Sequence, residues 1–336
     1  MTHKKARKSK IFTLLFSLIM CAAFISSMAK ASPTNTVYAE GGTGTTGGLT
    51  IGGESDIHGV GYDYEGATQT LTLQNYNGKE IDFSGKTIKV EGNNTITVDK
   101  TSEKFPFPGN AAYKCYSAIY SRYAITITGS GSLAINMETS DVNETCYSIY
   151  AREGMTINGG NITININSYY GEGGCGLYSN YGSVIIGGSA SLDITTQSSA
   201  IGTVGNDIVI SGTGSKKIQV NVGDKNWATS AIESVDGNVD ISGPGKVTIL
   251  YTNGDNSHAI KADKQIKIHS NADVETSAMI RSYFTDAAGS PSVEISDSTV
   301  KIPFVYLERK GFVKITDSNV TIKSEYDDSY RTGCVY

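Results

Sequence analysis

From residue 70 onward, apolar residues fall at every second position in short runs. Thr70-Leu-Thr-Leu73, Ile125-Thr-Ile127, Leu133-Ala-Ile135, Met155-Thr-Ile157, Ile162-Thr-Ile164, Val239-Asp-Ile241 and Val247-Thr-Ile249 are typical. A period of two with mostly β-branched apolar members predicts short, half-buried strands. The intervals are filled by Gly, Ser, Asn and Asp, as in Thr128-Gly-Ser-Gly131, Ser211-Gly-Thr-Gly214 and Ser242-Gly-Pro-Gly245. These residues tolerate positive φ and make tight corners. No 3.6-residue helical pattern runs through the chain after position 40.

The runs are organised by a repeated phrase of small–Ile–X–small. It reads Ala118-Ile-Tyr-Ser121, Ser148-Ile-Tyr-Ala151, Gly176-Leu-Tyr-Ser179, Ala200-Ile-Gly-Thr203, Ala231-Ile-Glu-Ser234 and Ala259-Ile-Lys-Ala262. Weaker copies lie near Ala278-Met279 and Val305-Tyr306. The steps between successive apolar members are 30, 28, 24, 31 and 28 residues. Such a period marks a solenoid. Two further alternating runs follow each phrase, so a coil of about 27 residues holds three short strands and three corners. The pattern predicts an all-β, right-handed parallel β-helix. A propeller blade repeats at about 40–50 residues, and a Greek-key sandwich carries no such echo.

The ends of the chain differ from this pattern. Met1 to Lys10 is basic, Ile11 to Ile25 is apolar, and the small-residue sites Ala29-Lys-Ala31 and Val37-Tyr-Ala39 follow. This is the layout of a secretory signal peptide over 1–31, with cleavage as late as 39 as the second choice. The apolar run is short for a membrane span, and Met20 before Cys21 does not fit a lipoprotein signal. Residues 32–48 read as a flexible Thr/Gly-rich lead-in. Residues 49–70 break the repeat and read as an N-terminal β cap, with the β-helix over 71–336. The last residues, Gly333-Cys-Val-Tyr336, open a new copy of the phrase. The expectation is an incomplete C-terminal unit whose open end is covered by further sequence or by a partner chain. The competing expectation is that Tyr326, Tyr330 and the final strand fold over the last coil.

Charge narrows the function classes. The chain has 28 basic and 33 acidic residues. Loss of residues 1–31 removes six basic residues and no acidic one, leaving a net charge of −11. An acidic secreted protein is a poor partner for nucleic acid, and nothing after signal cleavage calls for membrane insertion.

The segment Gly59-Val-Gly-Tyr-Asp-Tyr-Glu-Gly-Ala-Thr-Gln-Thr-Leu-Thr-Leu-Gln-Asn-Tyr76 resembles the opening of a family of bacterial secreted β-helix proteins, usually labelled carbohydrate-binding domain-containing. The phrase followed by Ile-x-Ile-x-Gly-x-Gly is similar to theirs, and the likeness covers about 49–336. Tyr62 stands where that family often has Trp. The resemblance implies a pectate-lyase-like solenoid at a surface of Gram-positive type, secreted or held at the cell surface, and a polysaccharide as partner.

Candidate chemistry starts with tyrosine. Ten of the 20 tyrosines lie between 113 and 181. In the phrase the Ile points inward, so Tyr120, Tyr150 and Tyr178 point outward and stack as a column about 4.8 Å apart. Tyr123 and Tyr181 lie one corner further on. Such a strip suits the apolar faces of sugar rings; a ladder that only stacks on itself is the other reading. Acidic residues before the phrase, Glu138, Asp141, Glu144 and Glu172, are candidate Ca²⁺ ligands, with plain solvated loop charge as the alternative. No other cofactor is expected. Cys115, Cys146 and Cys175 precede three consecutive phrases and read either as a bridge between neighbouring rungs or as buried thiols.

Glu233, Lys261, Arg122 and Arg152 are outward polar candidates, but the sequence does not assemble them into a catalytic set, and His58, His258 and His269 have no metal spacing. The expectation is a non-catalytic module that binds polysaccharide along its Tyr-rich face. A surface adhesin or spacer without a small ligand is the second reading. A polysaccharide lyase or glycoside hydrolase is the third.

Overall fold

A computed structural model describes residues 48–107, 110–138, 145–167, 174–221, 229–252, 257–284, 289–308 and 311–322. The signal-peptide region, nearly all of the lead-in, Asp141, Glu144, Glu172 and the final copy of the phrase at 333–336 lie outside the described residues. Those described form a parallel β-helix of about 8 turns at roughly 28 residues per turn. The three strands of each coil feed three sheets. Sheet A carries the phrase, sheet B the run that follows it, and sheet C the third run.

Register follows the repeat. Ile119, Ile149, Leu177, Ile201, Ile232 and Ile260 are direct neighbours up sheet A. Ile135, Ile164, Ile194, Ile218 and Ile249 form the matching column in sheet C. All of these side chains are fully buried. Each contributes about 1.5–3 kcal/mol by burial, and no coil could bury its own without a neighbour. The column continues to Ile280 and Val305. An irregularity between His258 and Ile260 brings Ile280, one residue beyond Met279, into the apolar place.

The composition of the phrase has a steric cause. Its first and second members both belong to the core, so the strand enters sheet A with two consecutive inward residues. The first must be small: a Cβ on Gly176 would lie 2.7 Å from the Ala200 carbonyl oxygen and 3.2 Å from Ile194 Cγ2. The fourth member is also buried, at the A-to-B corner. Where it is serine, its hydroxyl closes that corner. Ser234 Oγ donates to the Asn206 carbonyl at 2.7 Å, and Ser179 Oγ accepts from the Gly182 N–H at 3.1 Å. Only the third member is free to face outward.

The B-to-C corner needs positive φ. Gly188 (φ 56°) and Gly212 (φ 84°) supply it, and a Cβ on Gly212 would collide with the Gly188 carbonyl. Later coils make the same corner with Asn271, Asp297 and Asp317, residue types that tolerate the left-handed region.

The N-terminal region joins all three sheets. Leu49–Ile51 pairs in parallel with Ile81–Phe83 as the first strand of sheet A. Ile57–Gly59, Tyr62–Glu65 and Thr70–Gln74 form an antiparallel meander at the start of sheet B. Tyr64 is fully buried beneath it and donates to the Gly53 carbonyl at 2.9 Å. In the last described coil, the apolar side chains Phe312, Ile315 and Ile322 are exposed and Val313 and Val320 are half-buried.

Candidate functional site

The outward third member of the phrase builds one column along sheet A. Register takes it from Asp82 through Tyr120, Tyr150 and Tyr178, then on through Gly202, Glu233, Lys261, Arg281 and Tyr306. It divides into an aromatic half and a polar half.

In the aromatic half the tyrosines leave the core, as alternation requires, but they do not form an open platform. Tyr120 is 5 % and Tyr150 1 % exposed, which corrects the expectation of accessible ring faces. The rings lie against one another. Phe105 stacks on Tyr120 at 4.5 Å between centroids, Tyr120 on Tyr150 at 5.1 Å, and Tyr150 on Tyr178 at 6.2 Å. Tyr147 stacks on Tyr178 at 4.7 Å. Phe105 comes from Lys104–Phe107, an antiparallel strand beside Asn110–Ser121. Burial drives the Tyr147 and Tyr150 hydroxyls far above the ordinary phenol range and Tyr178 up to about 12. The ladder therefore stays uncharged.

Sequence reasoning missed Phe105 and Tyr147. The only signal for Tyr147 was its place three residues before Tyr150, where strict alternation fails. Phe105 had no signal in the repeat.

The exposed aromatics are at the A-to-B corner. Tyr123 and Tyr181 are 52 % and 56 % exposed. The Arg152 guanidinium lies 5.1 Å from the Tyr181 ring centre. Tyr178 is partly buried at the inner side of this rim. Arg122 also acts on Asp82, whose carboxyl is raised by burial against the lowering effect of that guanidinium.

Cysteine placement follows the same break in alternation. Cys115 and Cys175 sit in the outer aromatic cluster, whereas Cys146 faces the core. Neighbouring rungs thus hold their cysteines on opposite sides of the sheet, and no disulfide bridges them. Burial lifts the Cys115 thiol to about 12 and Cys175 further still.

The polar half brings together residues that the sequence left scattered. Lys261 Nζ donates to Glu233 Oε1 at 2.5 Å. Arg281 Nη2 donates to Glu308 Oε2 at 2.6 Å, and Nη1 donates to His258 Nε2 at 3.0 Å. The guanidinium also lies 4.6 Å from the Tyr283 ring centre and 5.1 Å from that of Tyr306. Arg281 Nε is buried without a hydrogen-bond partner. His258 is 4 % exposed. Burial, then Arg281 and Lys261, pushes its pKa down to about 4 against the opposing Glu308. A guanidinium can only donate, so His258 Nε2 is the acceptor and Nδ1 carries the proton. That proton faces Ser230 Oγ at 3.4 Å. The imidazole therefore offers Ser230 a donor and not a base.

Of the candidate metal ligands, Glu138 is exposed at the end of Ser132–Glu138. Among the described residues, no group of three or more His, Cys, Asp or Glu side chains could hold a metal ion, and no helix is long and apolar enough to cross a membrane. No family model, curated protein or solved structure matches the chain.

Proposed function

We propose that this chain is a secreted, non-catalytic β-helix module of a bacterial surface that binds polysaccharide at the tyrosine rim of sheet A. The observation that carries the reading is the pair of exposed rings, Tyr123 and Tyr181, with Arg152 packed on one of them. Exposed aromatic faces with polar tips and an adjacent planar cation suit sugar rings, which are apolar on their faces and polar at their edges. Tyr120 and Tyr150 serve as the rigid floor beneath this rim, because their own faces are occupied by neighbouring rings. No Ca²⁺ or other cofactor is part of the reading.

A glycan array probed with the full chain tests it. The expected result is binding that Tyr123→Ala combined with Tyr181→Ala reduces by about tenfold or more, with the melting temperature unchanged. Binding indifferent to both substitutions would sink the assignment of the rim. A surface spacer or adhesin without a small ligand is the second reading, favoured by the self-stacked burial of Tyr120 and Tyr150. On that reading the array stays blank. Release of reducing ends or unsaturated sugars from pectin, cellulose or xylan would point instead to the lyase or hydrolase reading.

A further inference from the structure

The polar half of the sheet A column shares an outward face with the tyrosine ladder, yet its chemistry is different. Tyr178 to Tyr306 is five rung steps, or about 24 Å at the spacing of neighbouring strands. Between them the only interruption is Gly202, and Tyr178 leans over it: a Cβ there would lie 3.1 Å from Tyr178 Cδ2. The far end is aromatic again, with Tyr283 and Tyr306 flanking Arg281. The middle is charged but balanced, since Glu233 is paired with Lys261 and Glu308 with Arg281. His258 is neutral at ordinary pH, so the cluster carries no net charge.

We propose that Glu233, Lys261, Arg281, Glu308, Tyr283 and Tyr306 form a second ligand subsite, and that it takes a neutral, hydroxyl-rich ring such as an uncharged hexose unit of a polysaccharide. This rests on the carbohydrate reading above but places contact on residues remote from the tyrosine rim.

Two observations select the ligand class. First, both ion pairs are only partly exposed, at 22 to 33 % for each side chain. An anionic ligand would have to displace a carboxylate held at 2.5–2.6 Å and leave it unpaired next to the sheet, which is costly. A hydroxyl group needs no such displacement. It donates to the second lone pair of a paired carboxylate or accepts from a remaining ammonium N–H. Second, Tyr283 and Tyr306 are half-buried, with Arg281 against both rings and Lys261 also over Tyr283, so the ring surface that remains exposed lies directly beside the ion pairs, where an apolar sugar face and its hydroxyl edge are met together.

The test compares neutral hexose oligosaccharides with polygalacturonate oligosaccharides of the same length, using the full chain and the variants Lys261→Met, Tyr306→Ala and Tyr123→Ala/Tyr181→Ala. Each variant is first checked for strand circular dichroism and melting. Lys261→Met leaves Glu233 without its partner, so Tyr306→Ala, at a half-buried site outside the ion pairs, is the variant that stays informative if Lys261→Met fails to fold. The proposal expects neutral-sugar binding that Tyr306→Ala weakens by about tenfold or more, whatever the rim variants do. Neutral-sugar binding untouched by a folded Tyr306→Ala chain overturns it, and the cluster is then only a seal over sheet A; the rim assignment survives. Binding of polygalacturonate alone also overturns it and leaves the rim assignment in place. No binding to either class overturns both.

Discussion

Ile164 shows what a single position in this chain must do. It is fully buried and sits between Ile135 and Ile194 in the sheet C column. Truncation of such a residue costs about 2–5 kcal/mol, and Ile164→Asp adds an unpaired buried charge. The expected outcome is a protein that fails to give a cooperative melt near the wild-type temperature. His258 makes a pH-dependent contribution. Its pKa in the fold is about 4, below the ordinary histidine value of about 6.5. Between these values the unfolded chain binds the proton more readily than the folded one, so stability is fully present above about 6.5 and falls as pH drops toward 4. The loss is on the order of 3 kcal/mol by the usual conversion. Melting temperatures from pH 7.5 to 4.5 should decline in the wild type and decline less in His258→Gln. Equal slopes would show that His258 is not the group responsible.

At the scale of the element, the stacked aromatic strip and its thiols behave as one packed layer outside the solenoid. Tyr150 touches Tyr120, Tyr147 and Tyr178. Tyr150→Ala removes the centre of the stack, with an expected cost of about 3–5 kcal/mol by analogy with buried aromatic truncations. Tyr150→Phe keeps the ring and should cost much less. Denaturant titrations of the two variants check this, and an equal effect would mean that the hydroxyl rather than the ring holds the layer. Cys115 and Cys175 lie in the same layer with thiols shifted well above the ordinary range. Thiolate is the reactive form, so both should resist alkylation at pH 8 in the native state and react fully in guanidinium. Site-resolved mass spectrometry reads the difference.

Across the whole molecule, contacts run between successive coils, so stability is a sum of local terms and need not be uniform. The final described strands, Val313–Thr316 and Asn319–Ile322, leave Ile315 and Ile322 exposed, whereas Ile241 and Ile249 are fully buried. Amide exchange should therefore be fastest in these strands and slowest through the sheet B and C strands of the central coils. Uniform protection along the solenoid would contradict a nearest-neighbour account. The outward faces add charge ladders: Asp240, Lys267, Glu294 and Lys314 alternate in sign up sheet B. Exposed pairs of this kind contribute about 0–1 kcal/mol each. They favour correct register over slipped pairings more than they stabilise.

The amino-acid sequence by itself determined the solenoid, the repeated strands of its coils and their register from Ile119 to Ile260. The reason is that one spatial step up the helix equals one sequence period, so Ile119, Ile149 and Leu177 announce that they are neighbours. It also determined that Tyr120, Tyr150 and Tyr178 leave the core, since a residue next to an inward Ile has one other side to face. Tertiary structure alone decided what happens on that other side. Whether an outward ring is open depends on neighbours outside the repeat, and Phe105 and Tyr147 cover Tyr120 and Tyr150 from a side strand and a break in alternation. The assembly of His258, Arg281 and Glu308 was hidden for the same kind of reason. Arg281 lies one coil above His258 across a register shift and one below Glu308. Side-chain reach joined them, and periodicity specifies the backbone step and not that reach.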